Sequence, residues 1–418
     1  MDYSLAPTTH PSPTAYVGLA PFLRASIAGI DLRHLAQTTL EGVGQNPNEA
    51  NLWLNLSTLM FSLGQREAGF ATQNQALALQ RQFDVLADIQ PARLRLLLLM
   101  VPGDVAANTP LDCLLEHSDI DLRVYFTLPD AVLPTPIPPH DAVFIALGDT
   151  PENRPILAAL ASTLAYWPKP VLNPPQAIPH TERAQASQLL QDIPGVLMPS
   201  TIAATRAELE RVAQGSRKLT CIAAELEFPV IVRPQDSHAG RDLDKIEDSA
   251  ALEAYLARVE AIEFFIARFI DYRSADGLFR KFRIALVNGE PFVAHMAISS
   301  HWMIHYVNAG MYEDAHKRDE EAQFMTQFAG FSLHHRAALE AISARMGLDY
   351  VCFDGAETQD GRLLIFEIDH VMVVHAMDLP TLFPYKAEPI KRIQTAFRQM
   401  VLDRLASHSA HRSPTHPN

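Results

Sequence analysis

The sequence predicts a mixed fold class: an α/β domain with a parallel sheet, then a larger α+β domain, both preceded by a small α-helical repeat-like domain. Residues 19–88 show helical periodicity. Residues 92–178 alternate apolar runs with a helical stretch, the pattern of a parallel sheet, and residues 179–402 mix strands and helices. The two ends, residues 1–18 and 407–418, are rich in Pro, Ser, Thr and His, and we expect them to be disordered.

The bulk composition excludes several classes of function. The chain has 418 residues, of which 48% are hydrophobic and 20% charged, so it can build a sizeable core. A formal net charge of -14 argues against binding to nucleic acid or to anionic membranes. Three widely spaced cysteines predict neither a disulfide framework nor a structural zinc site. Neither a signal-peptide pattern nor an apolar run of membrane length is visible, so we expect a cytoplasmic protein.

The helical segment resembles a tetratricopeptide repeat. Pro47 fits the end of one repeat, and the positions that fit the next are Trp53, Leu56, Gly64, Ala76 and Leu77. Only one and a half repeats are visible, whereas a solenoid needs about three to bury its own faces. These helices must therefore pack against the rest of the protein or against a partner. The alternative is a plain helical hairpin.

Apolar runs supply the strands of the parallel sheet. "LRLLLLMVPG" ends in Pro-Gly and is typical of a buried strand. "DLRVYFTL" and "DAVFIAL" are predicted as further strands, and "ENRPILAALASTLAYW" as a helix that precedes the last run, "PVLNPP". This alternation predicts an open α/β domain.

The stretch "LDYVCFDGAETQDGRLLIFEIDH", residues 348–370, predicts a β-hairpin that turns at the Asp-Gly pair 360–361. Because side chains alternate along a strand, Glu367 and Asp369 share one face, and Asp354 on the partner strand can lie near both. Three carboxylates held together repel one another unless a cation lies between them, and oxygen ligands suit magnesium. An exposed hairpin with scattered acids is the alternative.

Positive charge lies on two other predicted strands. "FPVIVRP" delivers Arg233 to a small polar loop. The loop residues are Ser237, His238, Ala239 and Gly240. Arginine binds phosphate oxygens in a bidentate way, and small loop residues let backbone N–H groups approach phosphates. On "FRKFRIALV", Lys281 and Arg283 point the same way, so both could meet phosphate. A solvated surface is the alternative for both strands.

In this order the segments resemble the ATP-grasp family of carboxylate–amine ligases, which includes D-alanine–D-alanine ligase and glutathione synthetase. The resemblance covers roughly residues 92–402 and rests on five ordered segments. The family's strand "P-V-I-V-K-P" matches residues 229–234 with Arg233 in the lysine position, and the loop that folds over ATP matches residues 237–240. The resemblance implies an ATP-grasp fold behind a parallel-sheet pre-ATP-grasp domain, with ATP and Mg2+ as cofactors.

The resemblance also assigns nucleotide contacts. Backbone groups of Arg268 and Ile270 would bind the adenine edge, although Ala267 replaces the hinge glutamate of the family. Arg183 falls where the family often has a lysine that contacts phosphate, and Lys281 would add a further cation there.

The catalytic residues that we predict are Arg283, Asn308 and His305. By the resemblance, Arg283 would support an acyl-phosphate, and Asn308 matches an asparagine that precedes a glycine in related ligases. The magnesium ligands that the resemblance implies are Asp354, Glu367 and Asp369, where the last is usually asparagine in the family.

Histidines cluster near this site in the sequence: His295, His301, His305, His370 and His375. A histidine beside a magnesium site could orient substrate or accept a proton from an amine, and His305 and His370 are best placed to do so. Ordinary core or surface histidines are the alternative.

The function that the resemblance implies is ATP-dependent amide formation. A carboxylate takes the γ-phosphate of ATP to give an acyl-phosphate and ADP, and an amine then displaces phosphate. We expect amino-acid or peptide substrates, in modified-peptide or natural-product biosynthesis. The N-terminal helices would bind a peptide or protein partner, form a homodimer interface, or brace the enzyme.

Two other functions stay open at this point. The same scaffold can serve a kinase that phosphorylates hydroxyls. A non-catalytic adaptor, with a repeat segment that binds a partner and a decayed ATP site, belongs to another class. A metal-dependent hydrolase built on the histidines ranks last, because the sequence has no HExxH spacing.

Overall fold

The computed structural model describes residues 14–235 and 240–412 of the chain. It has a helical N-terminal region, a sheet of mainly parallel strands and two further sheets built mostly of antiparallel pairs. This arrangement confirms the predicted fold class, mixed α/β with a helical segment in front. Within the described ranges, every helix is too short or too polar to cross a membrane.

The N-terminal region consists of α1 (Ala20–Ile27), α2 (Leu32–Gln45), α3 (Ala50–Ser62) and α4 (Arg66–Leu79). Gly64 separates α3 from α4 with a positive φ of 74°, a conformation that glycine adopts at no steric cost. Leu52 and Leu56 of α3 pack in the core of the helices, whereas Leu54 packs against the sheet that follows. The helices therefore pack against the rest of the chain, as one of our two expectations required. Their relationship to a tetratricopeptide repeat stays a prediction.

The start of the described chain is ordered, contrary to the prediction for residues 1–18. The side chain of Asn55 donates to the carbonyl of Ala15 at 2.8 Å and accepts from the backbone N–H of Val17 at 3.1 Å. The prediction was wrong for these residues because their partner lies about 40 positions away, where local composition carries no information. Residues 1–13 lie outside the described ranges.

The second region is a five-stranded sheet in the order β1-β3-β2-β4-β5. Its strands are β1 (Gln82–Val85), β2 (Leu94–Met100), β3 (Ile120–Phe126), β4 (Ala142–Ile145) and β5 (Val171–Leu172), with helices α5 (Leu111–Leu114) and α6 (Arg154–Leu164). Strands β2 to β5 pair in parallel, as predicted. The edge strand β1 pairs antiparallel with β3, so the prediction of helices up to residue 88 was wrong here. The ring of Phe83 is only 2% exposed because it packs in the core of the sheet, and this burial favours a strand at β1.

Two short elements, α7 (Arg183–Leu190) and β6 (Val196–Leu197), lead into a four-stranded sheet in the order β7-β10-β8-β9. This small sheet contains β7 (Ile202–Thr205), β8 (Val230–Pro234), β9 (Asp244–Ile246) and β10 (Glu263–Arg268), with helices α8 (Arg206–Ala213) and α9 (Ser249–Arg258). Buried side chains of these helices and strands form a separate hydrophobic core.

The large sheet has the order β12-β11-β13-β14-β6. Its other strands are β11 (Phe279–Val287), β12 (Glu290–Ser299), β13 (Tyr350–Glu357) and β14 (Leu363–Asp369), and three helices between them are α10 (Ala315–Thr326), α11 (Phe328–His334) and α12 (Arg336–Met346). The predicted hairpin is present, since β13 turns into β14 around Gly361. A second hairpin joins β11 to β12 at Asn288 and Gly289, which have positive φ.

The chain ends with the long helix α13 (Ala387–Arg412). Ile393 and Phe397 of this helix pack in a core shared by the parallel sheet and the large sheet. The helix extends through residues 407–412, at the start of the tail that we predict to be disordered, and the disorder of this tail stays a prediction. Residues 413–418 lie outside the described ranges.

Candidate functional site

Two cavities meet where the small sheet faces the large sheet. The smaller has a volume of about 220 Å³ and lies against β8 and β10. The larger has a volume of about 1000 Å³ and lies over β11, β13 and β14. Side chains at the junction line both cavities, among them Arg183, Lys281, His305 and Glu367. A ligand in one cavity would thus lie next to a ligand in the other.

The smaller cavity has mainly apolar walls. Phe269 and Trp302 meet edge to face with ring centroids 5.8 Å apart, and the ammonium of Lys245 lies 4.2 Å from the centroid of the Phe269 ring. The predicted hinge residues Arg268 and Ile270 both line this cavity. A flat apolar slot of this kind suits a planar ring system.

Arg233 lies on β8, where the sequence predicted a phosphate contact, and lines the smaller cavity. It is 8% exposed, and burial together with the neighbouring guanidinium of Arg183 lowers the pKa of Arg233 to about 10. The side chain therefore keeps its positive charge at neutral pH. The buried guanidinium of Arg233 and the partly exposed guanidinium of Arg183 together favour an anion here.

The predicted loop after β8 is only partly described. Ser237, His238 and Ala239 lie outside the described ranges. Gly240 lines the smaller cavity, and its positive φ of 71° favours glycine. A Cβ at this position would lie 2.6 Å from Nε2 of His305, so any residue other than glycine would also clash with the His305 ring.

Three charged side chains lie opposite one another on adjacent strands of the large sheet. Arg283 on β11 pairs in register with Asp354 on β13, which pairs with Glu367 on β14. Arg283 binds Asp354 in a bidentate way, with Nε–Oδ1 and Nη2–Oδ2 distances of 2.7 and 3.1 Å. Lys281 reaches Oδ2 of Asp354 at 2.7 Å, and Arg183 forms an ion pair with Glu367.

These cations keep the two carboxylates ionised. Burial raises the pKa of Asp354, but Arg283 and Lys281 outweigh burial and hold the pKa well below its usual range. Burial also raises the pKa of Glu367, and here Arg183 is the main group that brings the pKa below its ordinary value. Buried opposite charges in direct contact stay charged for this reason.

All three predicted magnesium ligands line the larger cavity: Asp354, Glu367 and Asp369. Their oxygens do not form a compact group, however. Among the described residues, the group whose ligand atoms all lie within 4.8 Å of one another consists of His334, His335 and Glu357. In this structure Asp354 and Glu367 instead form ion pairs with arginine side chains, Arg283 and Arg183 respectively.

The five clustered histidines have different surroundings. His305 lines both cavities, whereas His295 and His375 line the larger one. Burial is the main cause that lowers the pKa of each of these three rings, so all three are neutral at pH 7. His370 is buried and its Nε2 contacts the carbonyl oxygen of Leu147 at 3.1 Å, so it joins the sheets rather than reaching substrate. His301 lines neither cavity.

Asn308 does not reach the site that we predicted for it. The residue is exposed and lines neither cavity. Its side chain accepts a hydrogen bond from the backbone N–H of His305 at 2.9 Å and so closes the turn that carries this histidine. Asparagine suits a turn in this way because its side chain replaces a backbone acceptor. The geometry gives Asn308 a positioning role.

Three solved ligase structures are similar to this chain. No protein-family model matches the sequence. A D-alanine–D-alanine ligase from Bacillus anthracis, complexed with ATP, is 13% identical, with 77% of this chain and 100% of that chain covered and a TM-score of 0.45. D-alanyl-alanine synthetase A from Vibrio cholerae is 13% identical, with 76% and 99% covered and a TM-score of 0.42. The VanG D-Ala:D-Ser ligase from Enterococcus faecalis is 16% identical, with 65% and 74% covered and a TM-score of 0.37. At these values the neighbours carry no weight for the activity of this chain.

The sequence did not reveal how the far wall of the larger cavity is built. Leu23 and Ile27 of α1 and Arg66 and Phe70 of α4 contribute to it. Loops after β2 and β4 add residues 101–107 and 148–153. The N-terminal helices are therefore part of the cavity and not a separate appendage.

A buried charge network was also missed. Lys386 is 4% exposed, and its ammonium lies 3.3 Å from Asp378 and 3.4 Å from Glu321. It also donates to the hydroxyl of Tyr306 at 2.5 Å, and Tyr306 and Tyr385 both donate to Glu321. These residues are separated by up to 80 positions, so no local pattern could have joined them.

Proposed function

We propose that the chain is an ATP- and magnesium-dependent ligase of the ATP-grasp type that joins a carboxylate to an amine. One observation carries the proposal: an apolar slot and a larger charged cavity share Arg183, Lys281 and Glu367 at their junction. A nucleotide with its base in the slot would present its phosphates to these cations. A carboxylate in the larger cavity would then lie beside the terminal phosphate.

The nucleotide would be held by residues on both sheets. The base would occupy the slot beside Phe269 and Trp302, with the backbone of Arg268 and Ile270 at its edge. The phosphates would bind Arg233, Arg183 and Lys281, because fixed cations in a partly dehydrated site bind phosphate strongly. The loop 237–240 would act as a lid.

The donor set at the junction fits magnesium, since this ion takes oxygen ligands and shares them with phosphates. Glu367 and Asp369 would hold the ion, and Asp354 would join them only by giving up contacts with Arg283 and Lys281. Bound with ATP, magnesium would offset the charge that spreads over the transferred phosphoryl group. The three cations nearby would balance the remaining charge.

The reaction would proceed in two steps. A substrate carboxylate would attack the γ-phosphate of ATP and release ADP, and an amine would then displace phosphate from the acyl-phosphate. Arg283, fixed by its bidentate contact with Asp354, would orient the acyl-phosphate. His305 is neutral and lies at the junction, so it could accept the proton that the amine loses.

A peptide or an amino acid with an apolar side chain is the substrate class that we favour. The larger cavity offers apolar contacts from Leu23, Ile27 and Phe70, and charged groups at its other walls. The helical segment would therefore take part in substrate binding, and its contacts with the parallel sheet make it a brace as well. We assign the chain to modified-peptide or natural-product chemistry on this ground.

Magnesium-dependent release of ADP tests the proposal. The purified chain would be supplied with amino acids and short peptides, singly and in pairs, and product masses recorded. ADP release that requires both a carboxylate and an amine, with the mass of an amide product, supports the ligase.

Each other outcome identifies an alternative. A stable phosphorylated product of a hydroxyl substrate would replace the ligase with a kinase. A chain that binds neither ATP nor magnesium would be an adaptor, and the ligase proposal would then fail.

A further inference from the structure

A second group of potential metal ligands lies away from both cavities. It consists of His334 at the end of α11, His335 at the start of α12 and Glu357 at the end of β13. The group borders a third cavity of about 980 Å³, which Arg280 and Phe282 also line. These two residues alternate along β11 with Lys281 and Arg283, so this cavity lies on the opposite face of the sheet from the junction.

The spacing of the three side chains matches the spacing of ligands around a transition metal. Oε1 of Glu357 lies 3.1 Å from Nε2 of His335 and 3.8 Å from Nε2 of His334. One ligand atom from each residue lies within 4.8 Å of the others. Zinc binds nitrogen and oxygen at about 2.0–2.2 Å in tetrahedral geometry, which places neighbouring ligand atoms about 3.3 Å apart. Small side-chain rotations would bring all three atoms to that spacing.

The fold holds one of the three side chains in place. His335 is 4% exposed, its ring centroid lies 4.6 Å from that of Phe331, and its backbone N–H donates to the Phe331 carbonyl at 3.0 Å. Glu357 pairs in register with Leu363 across the β13–β14 hairpin. His334 is exposed over 63% of its side chain and leaves a route from solvent. The side chain of Glu357 is 43% exposed, so the ordered ring of His335 is the part of the group that lowers the ordering cost of binding.

The charges also favour a cation. Within the described residues, the side chains that contact the carboxylate of Glu357 are the two histidines. The arginines that line the third cavity have carboxylates of their own, Asp271 for Arg273 and two for Arg280. The group thus offers one carboxylate and two imidazoles, a donor set that suits zinc and copper better than magnesium.

We propose that His334, His335 and Glu357 form a site for a divalent transition-metal ion of the zinc type, with the fourth position open to solvent and to the third cavity. Such an ion would link the boundary between helices α11 and α12 to the end of β13. Strand β13 also carries Asp354, so the ion would stabilise the β13–β14 hairpin that lies beneath the meeting point of the two cavities. The site does not depend on the ligase proposal, because it uses other residues and another face of the sheet.

Zinc binding to the full-length chain tests this assignment. The protein would be freed of metal with a chelator and titrated calorimetrically with Zn2+, and then with Co2+, whose visible absorption is strong in tetrahedral coordination. The test variants are His334→Ala, which removes an exposed ligand, and Glu357→Gln, which keeps the size of the side chain. The C-terminal histidines could bind metal too, so all measurements would use a background with His408, His411 and His416 changed to Ala.

The matched control is His117→Ala, because His117 contacts Asp88 at 2.8 Å in an exposed His–carboxylate pair without a third ligand. We expect one zinc ion per chain in the background protein and in the control. Each test variant should weaken binding at least tenfold, the loss that follows even from removing partners of metal ligands. Zinc should raise Tm in the background protein and not in Glu357→Gln. Absence of zinc binding in the background protein, or an affinity in both test variants that is unchanged from the background protein, would overturn the site.

Discussion

The two cavities that meet at Glu367 are built in different ways. Walls of the smaller cavity come from a few short segments, such as residues 265–270 and 302–305, and are mainly apolar. Walls of the larger cavity come from four loops, the large sheet and helices α1, α4, α7 and α13, and they carry both signs of charge. A cavity made from contiguous segments suits a ligand common to many enzymes, whereas a cavity assembled from distant parts suits a ligand particular to one.

Glu367→Ala tests the junction where the two cavities meet and should have the largest effect. Loss of this carboxylate removes a proposed magnesium ligand and leaves Arg183 without its partner. We expect magnesium-dependent ADP release to fall by about 10²–10³-fold while the fold is kept. Glu388→Gln, at an exposed ion pair on α13, is the control. Normal turnover in Glu367→Ala would remove the magnesium assignment.

Arg233→Ala should distinguish the role of the smaller cavity from the role of the larger one. Arg233 lines only the smaller cavity of the two, and it is charged at neutral pH. We expect ATP to bind about 10–100-fold more weakly, because a charge-assisted hydrogen bond in a buried site contributes about 1.5–3 kcal/mol. Arg233→Lys should lose less, since it keeps the charge. Calorimetric titration with ATP measures both, and an unchanged affinity in Arg233→Ala would exclude a phosphate contact.

Phe70→Ala should weaken the binding of substrate and not the binding of ATP, the opposite of Arg233→Ala. Phe70 lies on α4 and lines only the larger cavity of the two. We expect KM for the substrate to rise about tenfold, the value of a lost apolar contact, and the affinity for ATP to stay unchanged. Leu79→Ala, at an exposed position of the same helix, is the control. Equal effects on ATP and substrate would show that Phe70 acts through stability alone.

His295→Asn should give the smallest effect, visible in the pH dependence of stability. Burial and Arg283 lower the pKa of His295 well below its ordinary 6.5. Below pH 6.5 the unfolded chain therefore binds a proton that the folded chain does not, so stability falls as the pH falls through this window. Each such histidine contributes a slope of up to about 1.4 kcal/mol per pH unit.

Urea unfolding at several pH values measures this slope. The slope should be smaller in His295→Asn and should persist in part, because His305 and His375 have pKa values shifted in the same direction. An unaltered slope in His295→Asn would mean that this ring is not held neutral by the fold.

The sequence predicted well where the evidence is local. Alternation of side chains placed Lys281 and Arg283 on one face of β11, and both contact Asp354. The Asp-Gly turn gave the β13–β14 hairpin, in which Asp354 lies opposite Glu367. Turn chemistry and strand periodicity depend on neighbours in the chain, so a single sequence contains them.

The sequence failed where partners are distant. Asn308 was predicted as catalytic but caps the turn of His305, and His370 was predicted near substrate but contacts Leu147. The network around Lys386 gave no signal at all, because its members are common residue types with no fixed spacing. Such groups are recognisable only after folding has desolvated them.

The sequence by itself determined the parallel strands β2 to β5, the β13–β14 hairpin and the strand that carries Arg233, because local periodicity and turn residues set these features. Three features were decided by the tertiary structure alone. Helices α1 and α4 line the larger cavity, and arginine side chains form ion pairs with Asp354 and Glu367. The side chains of His334, His335 and Glu357 come together. The physical reason is that charge pairing and cavity shape arise from contacts between residues far apart in the chain. Their free energy depends on burial, which no single segment contains.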